Sequence, residues 1–193
     1  FPIWSDVETF NGKPWRGAVD IVSAGFPCQD ISIAGDGAGI DGERSGQWRN
    51  VVRIVREVQP ARIDLENSPL LVSRGLARVL GDLAALGFDA RWGRYGGAGF
   101  GAPADGKRFW LVAHSTDRAQ LERAERRGVS GEVWQPQPGR LPWWDTEPGV
   151  FRVGDGVAYR VDRLSAVGDG QFPAVAARAF HELGRQPSRA VDY

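Results

Sequence analysis

The spacing of apolar residues along this chain changes period several times, and each change marks an element boundary. Residues 18–24 (Ala-Val-Asp-Ile-Val-Ser-Ala) form a short, β-branched apolar run that stops at Gly25 and Pro27, as a buried strand does when it enters a loop. A glycine-rich stretch from Gly35 to Gly46 follows. Val51, Val52, Ile54, Val55 and Val58 then recur at helical spacing, and Pro60, which lacks the N–H that a helix needs, ends them. Residues 61–66 read as a second buried strand, Asn67-Ser68-Pro69 as a turn, and Leu71 to Leu86 as one amphipathic helix closed by Gly87. Strand, helix, strand and helix in succession predict parallel pairing through crossovers.

Two further strands are predicted at Ala90–Tyr95 and Arg108–Ala113, separated by the glycines from Gly96 to Gly101 and able to pair as a hairpin at the sheet edge. From His114 to about Val150 the periodicity fades. Arginines and glutamates between Arg118 and Arg127 give way to Trp134, Pro136, Pro138, Pro142, Trp143 and Trp144, the composition of an insertion. A last helix, Pro173–Leu183, follows the turn Gly168-Asp169-Gly170. The expected fold class is α/β. Residues 1–113 are its main unit, 114–160 a short insertion, and 161–193 a C-terminal segment returning to the main unit.

Composition narrows the reading. At 193 residues and 42% hydrophobic, the chain is long enough for one core and short for two. Lysine plus arginine equals aspartate plus glutamate at 24 each, so no global basic field announces nucleic acid, and any such contact is local. One cysteine cannot form an internal disulfide, and no apolar run approaches bilayer length; a cytoplasmic location with no membrane contact is expected, as is the absence of a metal. The sequence contains no methionine, even at position 1, which leads to the expectation that something upstream is absent.

The richest chemistry lies in Gly25-Phe26-Pro27-Cys28-Gln29-Asp30-Ile31-Ser32, directly after the first predicted strand. Taken alone, Cys28 would more often be a small buried apolar residue. At a strand's carboxyl end, beside loop N–H groups, it also stands where open α/β sheets bind ligands and where a thiolate is stabilised. Glu66 ends the second strand, and Arg108 begins the fourth. A solvated strand-end carboxylate and an edge-strand surface arginine are the plain alternatives for these two.

The octapeptide resembles the nucleophile motif of the cytosine-C5 DNA methyltransferases, and further stretches resemble that family in order. Ser5-Asp6-Val7-Glu8-Thr9-Phe10 is similar to its cofactor-adenine segment, Arg44-Ser45-Gly46 to the start of the helix after the nucleophile loop, and Leu65-Glu66-Asn67-Ser68 to its Glu-Asn motif. Gly101-Ala102-Pro103 with residues 107–113 resembles the arginine motif and its strand, and residues 163–173 resemble the final motif. The resemblance implies a Rossmann-like S-adenosylmethionine-dependent methyltransferase fold with a mostly parallel sheet, here lacking its N-terminal strands. It implies S-adenosyl-L-methionine as cofactor and double-stranded DNA as partner, with a bacterial or phage origin.

In that family a thiolate adds to cytosine C6, which makes C5 enamine-like and able to take a methyl group. The target base must first leave the stack. The resemblance matches Cys28 to the nucleophile, Glu66 to the group holding the pyrimidine's N3 and amine, and Arg108 to a group orienting the flipped nucleotide. Asp6, Val7, Gly25, Pro27, Gly168 and Asp169 are then the cofactor-binding positions, and Gln29, Ser32 and Lys107 the DNA-facing ones. The family's opening glycine-rich loop and the acid after its second strand have no counterpart here. In the arginine motif the first arginine falls on Gly106, with Lys107 beside it, and the preceding glutamine on Ala104; Asp169 replaces a common asparagine. These departures support an alternative, a non-catalytic DNA- or partner-binding remnant, or one piece of a split enzyme completed by a second chain or an upstream segment. The resemblance makes residues 114–160 a short variable, target-recognition-like insertion, in which Arg118, Arg123, Arg126, Arg127 and Arg140 are interspersed with acids; phosphate binding is one reading of them, and a solvated, salt-bridged helix over Asp117–Arg127 is the preferred one.

Overall fold

The computed structural model describes residues 3–26, 47–100, 106–128 and 173–185. Their β-branched and aromatic runs form a four-stranded sheet from β1 (Ile21–Gly25), β2 (Arg62–Asn67), β3 (Phe88–Tyr95) and β4 (Arg108–Ser115), in the order β1-β2-β4-β3. Strands β1 and β2 run parallel, while β4 is antiparallel to both β2 and β3. The α/β class is as expected. The pairing is mixed rather than mostly parallel, because β4 does not stay at the edge of a hairpin. It inserts between β2 and β3 and leaves β3 outermost, although β1, β2 and β3 still share one direction. The buried residues of β4, Phe109 through Ala113, explain the insertion: an edge strand could not cover both of its faces.

Three helices lie on one face: α1 (Trp48–Val58), α2 (Leu71–Arg74) and α3 (Leu76–Ala85). Trp48, Val51 and Val55 of α1 and Leu76, Val79 and Leu83 of α3 pack in a single core with Ile63, Leu65, Phe109, Leu111 and Ala113 of the sheet. Pro60 ends α1 as expected; Gln59 before it takes a left-handed conformation, φ 52°, and donates its N–H to Val55 O at 2.8 Å. The predicted single helix from Leu71 to Leu86 is two. Gly75 interrupts it, since a residue of low helix propensity gives little resistance where the chain must redirect its apolar face. Strand β1 starts at Ile21 rather than residue 18, because Ala18 and Val19 bond back to Trp15 O in a turn.

The opposite face of the sheet is covered by α5 (Pro173–Gly184), whose Val175, Ala179 and Leu183 pack on Trp110 and Val112 of β4. Phe180 meets the Trp110 ring edge-on at 5.0 Å. Residues 118–126 form α4, capped by Asp117 accepting from Ala119 N at 2.9 Å and carrying the exposed pair Arg118–Glu122 at 2.8 Å, as a solvated helix should. Among the described residues no helix is long and apolar enough to cross a membrane.

Candidate active site

Parallel pairing of β1 with β2 sets Gly25 opposite Glu66, so both strands end at the same edge of the sheet. The antiparallel strand β4 starts there, and Arg108 Nε lies 3.3 Å from Glu66 Oε1. Neither side chain is fully buried, at 23% exposure for Arg108 and 19% for Glu66. The Glu66 carboxylate lies over Gly25: a Cβ at that position would stand 3.4 Å from Glu66 Oε2. Three of the expected site positions, Gly25, Glu66 and Arg108, therefore converge at the carboxyl ends of two parallel strands, where open α/β sheets bind ligands. Lys107 is exposed immediately before Arg108.

The backbone just after β1 is held at Phe26. Asn67 is buried, and its Nδ2 donates to Phe26 O at 3.1 Å while its Oδ1 accepts from Ser68 N at 2.8 Å. The buried Phe26 ring packs on Trp48 with centroids 5.3 Å apart, and Trp48 Nε1 donates to Asp82 Oδ2 at 2.9 Å. Cys28, two residues beyond Phe26, lies outside the described residues, as do Pro27, Gln29, Ser32, Gly168 and Asp169.

Asp6 and Val7 are exposed on an irregular segment. Asp6 Oδ1 accepts from Glu8 N at 2.9 Å, an Asx turn. Val7 O accepts from Arg53 Nη2 at 2.7 Å and Phe10 O from Arg53 Nη1 at 2.6 Å. Glu57 completes this contact by accepting from Gly12 N at 2.7 Å, and that bond above all holds its carboxyl below the usual range. Arg53, Glu57, Trp48 and the backbone tie made by Asn67 escape sequence reasoning. On α1, Arg53, Glu57 and Trp48 read only as further polar or apolar helical positions.

A second polar group lies under α5. Arg62 pairs with Asp64 at 2.6 Å, and His114, opposite Arg62 in the sheet, meets the Gly184 backbone. Burial raises the Asp64 carboxyl against the pull of Arg62, and burial lowers the His114 imidazole with help from Arg62. Among the described residues no group of three or more His, Cys, Asp or Glu is placed to hold a metal.

The Glu66–Arg108 pair stands at the carboxyl ends of two parallel strands, the edge at which open α/β sheets generally bind ligands. The profile of the C-5 cytosine-specific DNA methylases matches residues 2–135, and the chain belongs to that family. It is 34% identical over 91 residues to the type II methyltransferase M.CviJI of Paramecium bursaria Chlorella virus IL3A, covering 47% of this chain and 25% of that one. It is 35% identical over 100 residues to the type II methyltransferase M.NgoBI of Neisseria gonorrhoeae, covering 50% and 32%. Among solved structures, S. pombe Dnmt2 methyltransferase is similar over 59% of this chain and 36% of that chain, with a TM-score of 0.47 at 19% identity. The chain thus spans about a quarter to a third of the two sequence relatives.

Proposed function

We propose that this chain carries the cytosine-facing part of a DNA (cytosine-5-)-methyltransferase that acts on double-stranded DNA and belongs, like the type II relatives, to restriction–modification. The observation that carries the reading is the convergence of Gly25, Glu66 and Arg108 at one sheet edge, with Cys28 three residues beyond Gly25. In this reading the Cys28 thiolate adds to C6 of a flipped-out cytosine, and the electron pair released toward C5 takes the methyl group. Loss of the C5 proton then lets the S–C6 bond break and frees the thiol. Glu66 holds the ring's N3 and exocyclic amine. Arg108, 3.3 Å from Glu66, fixes that carboxylate and supplies positive charge beside the base. Gln29, Ser32 and Lys107 contact the DNA around the emptied position.

S-adenosyl-L-methionine supplies the methyl group on a sulfonium. The residues present fit its adenine end: Asp6 offers a carboxylate acceptor for an exocyclic amine, and the exposed Val7 offers an apolar surface. Gly25, Pro27, Gly168 and Asp169 complete the cofactor side. The family match and the intact nucleophile motif favour this reading over a non-catalytic remnant.

The test is covalent trapping. In the enzyme completed by an upstream segment or a partner chain, a duplex with 5-fluorocytosine at the target should trap the wild-type protein, because fluorine stands where the departing proton should be, and Cys28→Ser should neither methylate nor be trapped while still binding DNA. Wild-type protein that methylates ordinary cytosine but runs free of the fluorinated duplex on a denaturing gel would remove Cys28 from the mechanism.

A further inference from the structure

We propose that Arg53 and Glu57, neighbours on one face of α1, are positioning residues that hold the segment carrying Asp6 and Val7 in its cofactor-binding conformation. The inference rests on the reading of those two residues as the adenine seat. Residues 7–12 belong to no strand or α-helix, so no ladder orders their backbone. One side-chain pair does so instead. Arg53 donates to Val7 O at 2.7 Å, Phe10 O at 2.6 Å and Glu8 O at 3.4 Å, and Glu57 accepts from Gly12 N at 2.7 Å. Arg53 Nη1 also lies 3.3 Å from Glu57 Oε2, so each charge orients the other.

The chemistry of the pair suits the task. A guanidinium is a planar fork of five donors and can reach several carbonyls at once, which a single ammonium cannot do in the same geometry. Glu57 balances the charge and takes the N–H of Gly12. Gly12 allows this approach through its size rather than its backbone angle: a Cβ there would stand 3.0 Å from Glu57 Cβ and from Val58 Cγ2. Arg16 Nε donates to Glu57 O at 2.9 Å and adds a second tie to the same turn of α1.

The position of α1 gives the clasp its consequence. The core side of the helix places Trp48 against Phe26, two residues before Cys28, while Arg53 and Glu57 hold the segment of Asp6 and Val7. One rigid helix thereby sets the distance between the cofactor's adenine seat and the root of the nucleophile loop. Rotation or fraying of α1 would move both.

The experiment uses the 193-residue chain, with Arg53→Met, Arg53→Lys and Glu57→Gln as variants and Arg118→Met on α4 as control. Hydrogen exchange of the Gly12 amide without ligand is the first readout. The second is the shift of the Asp6 and Val7 amide resonances as S-adenosyl-L-homocysteine is added to millimolar concentration. Arg53→Met and Arg53→Lys should speed Gly12 exchange and weaken the ligand by about tenfold or more, while Glu57→Gln, which keeps an acceptor, should do less, and Arg118→Met nothing. Should Arg53→Met fail to fold, Arg53→Lys, which keeps the charge and the stem, carries both readouts. Unchanged exchange and affinity in the folded variants would overturn the clasp and leave the adenine seat standing. Faster Gly12 exchange with unchanged affinity, or ligand shifts that miss Asp6 and Val7 in the wild type, would instead overturn the seat and the proposal with it.

Discussion

Asn67 spends both ends of its amide on backbone, donating to Phe26 O and accepting from Ser68 N, and it does so while buried. Removing it strands the buried carbonyl of Phe26, two residues before Cys28. Asn67→Ala should destabilise the fold by about 1–3 kcal/mol, and Asn67→Asp, which sets a carboxylate against that carbonyl, should be no better; urea titration measures both. The Glu66–Arg108 pair contrasts with this, since its partial exposure lets water replace either partner. Arg108→Met should cost less than about 1 kcal/mol of stability and yet lower methyl transfer in an active enzyme by about a hundredfold or more. A stability loss as large as that of Asn67→Ala would make Arg108 a structural residue. Glu66 and Arg108 were legible in the sequence because each sits in a motif at a strand end. The tie from Asn67 to Phe26 was not, because it joins backbone to side chain across 41 positions and no residue type announces it.

Most of the strands and helices could be read from apolar period, because burial on one face or two leaves a local signature. Pairing partners leave none. Nothing in residues 108–115 distinguishes an edge strand from one inserted between β2 and β3 except its unbroken apolar run, and the same period runs through Gly75, where the helix breaks. The docking of α5 is a further case. Carbonyls at and just beyond its end meet side chains of the sheet: Arg62 Nη2 donates to Phe180 O at 3.4 Å, Arg91 donates to Arg185 O, and the imidazole of His114 faces the Gly184 backbone. The approach there is close: a Cβ at Gly184 would stand 3.1 Å from Arg62 Nη1, and the guanidinium would have to give way by a few tenths of an ångström. Burial and the nearby Arg62 hold the His114 imidazole below its ordinary value of 6.5. The unfolded chain thus binds a proton at His114 more readily than the folded chain. The corresponding stability is complete above pH 6.5 and is lost as pH falls through that value toward the lowered one. His114→Gln should flatten this part of the stability–pH curve measured by denaturation, leaving the steeper acid limb below the usual carboxylate range, to which Glu57 and Glu182 contribute because both are lowered in the fold. An unchanged slope just below pH 6.5 in the variant would assign it elsewhere.

Among the described residues β1 pairs on one side only, with β2. Its burial alternates, and Ile21 is 37% exposed, whereas Ile63, Asp64 and Leu65 of β2 are buried in succession. A parallel strand inside a sheet covered on both faces is buried at consecutive positions. Among the described residues the other edge of β1 is therefore a place where a larger sheet can continue, and in the proposed reading the loops of such further strands would reach the methionine and ribose parts of the cofactor. In the proposed reading this chain supplies the adenine side of the cofactor site, at Asp6 and Val7, with Gly168 and Asp169 as further cofactor-side positions in the sequence. An adenine seat alone offers a small apolar contact and few hydrogen bonds, against the fixed cost of immobilising a ligand. The 193-residue chain should accordingly bind S-adenosyl-L-methionine weakly, with a dissociation constant above roughly 0.1 mM, so that calorimetry registers little heat while amide shifts at Asp6 and Val7 still respond at millimolar ligand. Supplying further strands at that edge, by fusion to the N-terminal part of a sequence relative, should tighten binding by several orders of magnitude. Micromolar binding by the chain alone would mean that its own residues replace the glycine-rich loop, and the free edge of β1 would then need a different explanation.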